Sequence, residues 1–424
     1  MLDIRLLREE TESVRANLGR RNDPGTIALL DEFLRLDRRW RDLKGKSDEL
    51  RSRRNSVSKA INEAKKSGKD ATDLLTEAKA IPQELAELEK HLKTIEEERR
   101  ITHLKIPNLL DDAVPVGKDD TENKTIKTWG EPKQQSFALK PHSEIAEGLG
   151  SDFDRAAKIA GAGFYFLRGD VALLNQALIQ FAIQHLVKKG YRYTEPPLMM
   201  RRDAYEGVIS LADFASVQYK TEDEDLYLIA TSEHPLVAQY MGETLDRSQF
   251  PIRLAGYSMC FRKEIGSRGV DTKGLFRTHQ FNKVEQVVIC KPSESETMHQ
   301  ELLRNTEELM QALELAYEIV DVCTGDMGIV ASRKYDINAW MPRSGEYKEV
   351  ASCSNCTDYQ SRRLGISYQD EHGGTTLCHT LNNTAIATSR VLVAILENYQ
   401  QEDGSVVVPK VLVPFLMGKT VLRP

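Results

Sequence analysis

The chain lacks the glycine-rich loops that most often cradle phosphates. Gly418-Lys-Thr420 would need a glycine at position 413 to complete a P-loop, and Val413 stands there. Gly161-Ala-Gly163 runs into Phe164-Tyr-Phe166, without the third glycine or the strand-to-helix setting of a dinucleotide fold. No apolar run approaches the ~20 residues of a membrane-crossing helix, so no membrane partner is expected. Six cysteines scattered through 424 residues make no disulfide framework. Cys353-Ser-Asn-Cys356 followed by Cys378-His379 has the outline of a zinc site. Yet Cys378 and His379 are adjacent in an extended segment and would point to opposite faces. Buried, reduced thiols and no zinc are the expectation. A formal charge of −6 argues against a protein that simply coats nucleic acid, though not against a local basic surface. Met1 to Glu10 mixes charge with apolar residues, unlike a signal or transit peptide, and a cytoplasmic location is expected.

What is present falls into two materials. Phe33, Leu36, Trp40, Leu43, Ser47, Leu50, Arg54, Val57, Ile61 and Ala64 keep a 3-4 spacing, and Leu74, Ala78, Ile81, Leu85, Leu88, Leu92, Ile95 and Arg99 repeat it. Ser67-Gly-Lys-Asp70 between them is a turn signal, so the two runs predict an antiparallel helical hairpin. Pro82 predicts a kink or a helix start early in the second run. Lys44 to Lys69 carries nine Lys/Arg against three Asp/Glu, whereas Ala71 to Leu104 is net acidic. A solvated coiled-coil face accounts for such charges; their segregation also suits a phosphate-backbone partner. Leu109 to Lys140 reads as a connector, Asp170 to Lys189 as an amphipathic helix, and strands dominate from there, with helices near Ser293–Leu315 and Ala385–Tyr399.

The chemistry-bearing segments lie in this second part. Tyr257 to Arg262 and Gln280 to Cys290 predict a β-hairpin with Arg262, Glu264, Arg277 and Phe281 near its loop end. Two guanidiniums, a carboxylate and an aromatic face suit a bent nucleoside triphosphate, and would equally suit a surface ribbon with ordinary ion pairs. Thr231 and Glu233 alternate on one face of a predicted extended chain. Glu349 and Ser352 offer hard oxygen ligands for Mg²⁺, and Arg390 opens an apolar helix just after Asn382 and Thr384.

In this order the segments resemble the three signature motifs of class II aminoacyl-tRNA synthetases. The helix leading to Pro196-Pro197 is similar to the first, Phe261-Arg-Lys-Glu264 through Phe281 to the second, and the segment ending at Arg390 to the third. The heptad hairpin, Val114-Pro-Val-Gly-Lys118, Thr231-Ser-Glu233, His279 to Glu285 and Glu397-Asn-Tyr-Gln400 narrow the resemblance to the seryl-tRNA synthetases, over essentially the whole chain. Asn382-Asn-Thr-Ala385 is closer to the branch with threonine there than to the glycine- and serine-rich bacterial pattern. A zinc-using branch of the family has a different N-terminal domain.

The resemblance implies an α+β protein. An N-terminal tRNA-binding domain would span 1–107, with a coiled-coil arm over about 27–104. A catalytic domain over 108–424, entered through 108–165, would rest on a mainly antiparallel sheet flanked by helices. It implies ATP binding by Arg262, Lys263, Glu264, Arg277, Thr278, Phe281, Glu349, Val350, Ala351, Ser352 and Arg390. Arg262 and Arg390 would be catalytic, and Glu349 and Ser352 would hold Mg²⁺. Serine would meet Thr231, Ser232, Glu233, Arg262, Glu285, Asn382 and Thr384, and tRNA would meet Lys44, Lys46, Arg51, Arg53, Arg54, Lys59, Arg268 and Lys273. The implied activity is serine–tRNA ligation in a homodimer, through seryl-adenylate, on tRNA(Ser) and, where present, tRNA(Sec). An amino-acid-activating paralogue that loads a carrier protein has no need of the arm. An inactive RNA-binding adaptor has no need of the arginines.

Overall fold

The structure is a computed structural model that describes residues 1–210, 217–264 and 274–424. The chain forms two compact units: Leu2–Gly19 with Asp23–Pro107, and Asn108–Pro424 together with Met1 and Arg20–Asn22. Among the described residues no helix is long and apolar enough to cross a membrane.

In the first unit, α1 (Ile4–Glu9) and α2 (Thr11–Gly19) precede the long helices α3 (Pro24–Lys66) and α4 (Thr72–Lys105). Asp23 caps α3 by accepting the Gly25 N–H, and Pro24 occupies the first turn, where a missing N–H is harmless. At ~1.5 Å per residue α3 extends roughly 65 Å and α4 roughly 50 Å. The turn falls on the expected Ser67-Gly-Lys-Asp70, with Gly68 at φ 65°. Val57 and Ile61 pack against Ile81 and Leu85 along the seam, while Arg54, in the same heptad run, is exposed. Pro82 does not mark a helix start, one of its two expected roles. Helix α4 begins at Thr72 and runs through the proline, whose ring is exposed, so one ladder bond to Ala78 is forfeited without ending the helix. Near the other end Asp37, only 1% exposed, accepts from Arg8 (2.7 and 2.8 Å), Arg99 (2.8 Å) and Arg41 (3.2 Å).

The second unit is built on eight strands: β1 (Lys124–Trp129), β2 (Arg192–Thr194), β3 (Ile252–Phe261), β4 (Gln280–Cys290), β5 (Tyr317–Asp321), β6 (Arg333–Met341), β7 (Glu346–Asn355) and β8 (His379–Ala387). Their order is β1-β5-β6-β7-β8-β4-β3-β2, antiparallel throughout except for β2 beside β3. The helices that matter below are α5 (Gly169–Lys188), α6 (Glu233–Ala238), α7 (Ser295–Ala312) and α8 (Thr388–Tyr399). Apolar faces of α5 and α8, including Val171, Leu174, Leu178, Val391 and Ile395, join Val284, Val288, Ile337 and Ile386 in one core. Helix α7 adds Met298, Leu302 and Leu309 to that core and also meets the sheet through a polar row. Asn383 donates to the Leu302 carbonyl (2.7 Å) and Thr306 hydroxyl (2.9 Å), and Asn305 to Gln286 (2.8 Å).

Two bulges set which side chains share the other face. In β7 an extra residue between Glu349 and Ala351 places Glu349 opposite Asn338 and Ser352 opposite Asp336. Asn338 and Asp336 alternate on one face, so Glu349 and Ser352 share it despite their odd spacing. In β8 an extra residue between Thr384 and Ile386 likewise aligns Thr384 with Glu285 and Ala387 with Lys283.

Candidate active site

That face floors a cavity of about 790 Å³, to which β4 contributes Phe281, Lys283 and Glu285, β8 Asn382 and Thr384, and β7 Glu349 to Ser352. The hairpin β3–β4 ends where the sequence predicts, and its pairing continues one step as Arg262 N–H donates to the His279 carbonyl (3.0 Å). His279 is itself fixed: its N–H donates to the Gly163 carbonyl (2.9 Å) and its ring stacks on Phe164 with centroids 5.2 Å apart. Gly163, at φ 82°, allows this approach, since a Cβ there would lie 2.5 Å from the His279 ring.

Three guanidiniums converge on the cavity. Arg262 lies over the Phe281 ring at 5.2 Å, Arg277 lines the wall beside Thr278, and Arg390 enters from the first turn of α8. Arg390 is held by the carbonyl and the carboxylate of Glu349, both at 2.9 Å, and lies 5.3 Å from the Phe276 ring. Beside Ser352, burial pushes the Asp336 carboxyl up to about 6, opposed by Lys334 at 3.3 Å. One Asp336 oxygen, Oδ1, is buried without a hydrogen-bond partner among the described residues. A carboxylate, a hydroxyl and this neighbouring carboxyl are hard oxygen donors, which fits Mg²⁺.

A deeper region is built from acids. Lys283 pairs with Glu285 at 2.7 Å, and the Thr384 hydroxyl donates to the same carboxylate at 3.2 Å. Glu233 receives the Gln360 amide at 2.9 Å. Burial, and then the Glu285 charge, pushes the Glu233 carboxyl up to about 7. Burial drives His234 down to about 3 and keeps it neutral, its ring nitrogen 3.1 Å from the Tyr205 hydroxyl. Two acids lining the wall offer an ammonium group its acceptors.

Most residues named from the sequence line this cavity: Thr231, Glu233, Arg262, Glu264, Arg277, Thr278, Phe281, Glu285, Glu349, Val350, Ala351, Ser352, Asn382, Thr384 and Arg390. Ser232 and Lys263 do not. Ser232 turns its hydroxyl to the Gly256 carbonyl (3.2 Å), and the Lys263 N–H is spent on the Val217 carbonyl (3.0 Å). The extended reading of Thr231 to Glu233 is also corrected. The Thr231 hydroxyl accepts the Glu233 N–H (3.1 Å) and opens α6, with Pro235 in a first turn that tolerates it. Lys283, Phe276 and His234 line the cavity unforeseen. Lys283 was within reach of strand alternation, standing two residues from both Phe281 and Glu285. In the first unit Lys44 pairs with Asp48 (3.2 Å), Arg51 with Glu89 (2.9 Å) and Arg53 with Glu77. Lys46, Arg54 and Lys59 are exposed, with no ion pair among the described residues. Arg268 and Lys273 lie outside the described residues. All six cysteines are buried and free, and burial raises the thiols of Cys353 and Cys356.

Residues 217–399 match the tRNA synthetase class II core domain (G, H, P, S and T), and residues 1–110 the seryl-tRNA synthetase N-terminal domain. A serine–tRNA ligase of Methanocella arvoryzae is 54% identical over 99% of both chains. The serine–tRNA ligase of Methanospirillum hungatei is 52% identical over 100% of both. The crystal structure of seryl-tRNA synthetase from Pyrococcus horikoshii complexed with ATP superposes with a TM-score of 0.92 at 43% identity, covering 100% of both chains. The cytoplasmic serine–tRNA ligase from Naegleria fowleri in complex with AMP gives 0.87 at 33% identity, covering 100% of this chain and 99% of that one.

Proposed function

The chain belongs to the seryl-tRNA synthetase family of class II aminoacyl-tRNA synthetases, and from this we infer that it is a serine–tRNA ligase. It activates L-serine with ATP to seryl-adenylate and pyrophosphate, then transfers serine to the 3′ end of tRNA. The observation that carries the reading is one cavity lined both by three arginines and by the Glu233/Glu285/Thr384 cluster. The first suits a triphosphate; the second suits a small amino acid with a hydroxyl.

Adenylation is in-line attack of a carboxylate on the α-phosphorus. It needs alignment and neutralisation of phosphate charge more than a general base. Arg262 bridges the serine carboxylate and the α-phosphate, while Arg277 and Arg390 grip the outer phosphates. Glu264 and the main chain near Thr278 meet the adenine edge, and Phe281 its face. Glu349 and Ser352 would hold Mg²⁺, which supplies positive charge at the phosphates; the β7 bulge that puts them on one face supports this. Glu233 and Thr231 take the serine ammonium, and Glu285 with Thr384 its hydroxyl. Alanine leaves these acceptors unpaired and is rejected strongly. Threonine's added methyl is worth only ~1–3 kcal/mol, so a close wall must exclude it.

The arm helices bind tRNA(Ser) through backbone and shape, with Lys46, Arg54 and Lys59 as the exposed cations and Lys44, Arg51, Arg53, Arg268 and Lys273 as further contacts. The enzyme works in the cytoplasm as a homodimer, with residues 1–107 as the tRNA-binding domain and 108–424 as the catalytic one. Pyrophosphate exchange with each of the twenty amino acids tests the central reading. Exchange is expected with serine, and its absence there would refute the assignment.

A further inference from the structure

Gln360 lies outside the cavity wall, on the short helix Tyr359–Leu364, and is 1% exposed. Its side-chain amide is fully engaged. Nε2 donates to Glu233 Oε1 (2.9 Å) and to the Val208 carbonyl (3.1 Å), and Oε1 accepts from the Thr380 hydroxyl (2.6 Å). Turned over, the amide would set its oxygen against a carboxylate and a carbonyl, so one orientation is enforced. Thr380 alternates along β8 with Asn382 and Thr384, so the strand that lines the amino-acid region also anchors the amide.

We propose that Gln360 is a positioning residue for amino-acid binding: it fixes one oxygen of Glu233 so that the carboxylate presents the other to the substrate's α-ammonium. This rests on the reading of Glu233 as the ammonium acceptor. Around Glu233 stand Glu285 and Lys283 from β4, Arg262 from the end of β3, Tyr205, and Cys356 ahead of the Gln360 helix. Burial and Glu285 favour the neutral acid, whereas the Gln360 amide, Lys283 and Arg262 favour the carboxylate. Without the amide, Glu233 takes up its proton at higher pH and is free to swing. Ammonium binding then weakens most where the proton is retained.

The test is serine-dependent pyrophosphate exchange by the full chain carrying Gln360→Leu, from about pH 6 to about pH 9. The KM for serine should rise about 10-fold near neutrality, the gap should narrow toward the alkaline end, and the KM for ATP should stay unchanged. An unchanged KM for serine, or an equal rise for ATP, would reduce Gln360 to a packing residue and overturn the proposal. Thr380→Val keeps the amide but removes its anchor, and decides the matter should Gln360→Leu fail to fold. A smaller shift of the serine profile in the same direction supports the proposal, and an unshifted profile overturns it. Failure of the unaltered protein to exchange with serine would instead refute the underlying assignment.

Discussion

At the scale of single residues the proposed roles divide into groups that would neutralise phosphate charge and groups that would select the amino acid. On that proposal Arg262 would serve both, since its guanidinium lies over the Phe281 ring and acts electrostatically on Glu233. Arg262→Ala should therefore abolish serine-dependent exchange, by at least ~100-fold, while leaving thermal unfolding within a few degrees of the parent. A collapsed melting curve would make its role structural. Glu233 gives the pH dependence. A carboxyl raised to about 7 is mostly protonated below that value, so kcat/KM for serine should fall as pH drops through it and level off above. His234, held down to about 3, cannot produce this limb, but Asp336, pushed up to about 6, could. Glu233→Gln separates them: kcat/KM for serine should drop ~10–100-fold and lose the limb. A limb that persists in the variant belongs to Asp336 or to the substrates. The charged residue types that line the cavity are legible in the sequence because the proposed phosphate and ammonium contacts each need a charge. Lys283 and Gln360 were harder to see, because they touch other side chains rather than announcing a motif.

At the scale of elements, alternation was legible and its interruptions were not. Glu349 and Ser352 are three apart, which in an unbroken strand sends them to opposite faces. The bulge in β7 reverses that, and nothing in Glu349-Val-Ala-Ser352 signals an extra unpaired residue. The start of α6 is hidden for a similar reason: Thr231 and Glu233 fit alternation as well as they fit a helix start, and the Thr231–Glu233 hydrogen bond with the helical Leu236 N–H to Ser232 carbonyl bond distinguishes the two. Gly161-Ala-Gly163, which lacks the third glycine of a phosphate loop, has a task as a buttress for the hairpin end. Gly163→Ala would place a methyl 2.5 Å from the His279 ring at φ 82°, a strain of about 1–3 kcal/mol. Because His279 holds the Arg262 backbone, this change should raise the KM for ATP several-fold and lower the melting temperature. An unchanged KM for ATP would show that the buttress does not reach the site.

At the scale of the whole molecule, a net charge of −6 coexists with a basic stretch on one helix, and the pairing of those cations decides which of them a nucleic acid can use. Arg51 and Arg53 are tied to Glu89 and Glu77 across the α3–α4 hairpin, so a phosphate must compete with a carboxylate already in place. Lys46, Arg54 and Lys59 face no such competition among the described residues. Each phosphate contact releases counterions, so losing three should lower the salt dependence of tRNA binding as well as the affinity itself. The triple change Lys46→Ala, Arg54→Ala, Lys59→Ala is expected to weaken tRNA(Ser) binding at least ~10-fold and flatten log Kd against log salt by about two units. Arg51→Ala with Arg53→Ala should cost less affinity and more helix stability. Exchange with serine and ATP should be untouched in both, because every group assigned to activation belongs to the second unit. Replacing Phe33 to Arg99 by a short flexible link carries the same logic to its limit: activation retained, tRNA charging abolished. Equal loss of both activities would mean that the first unit does more than hold tRNA.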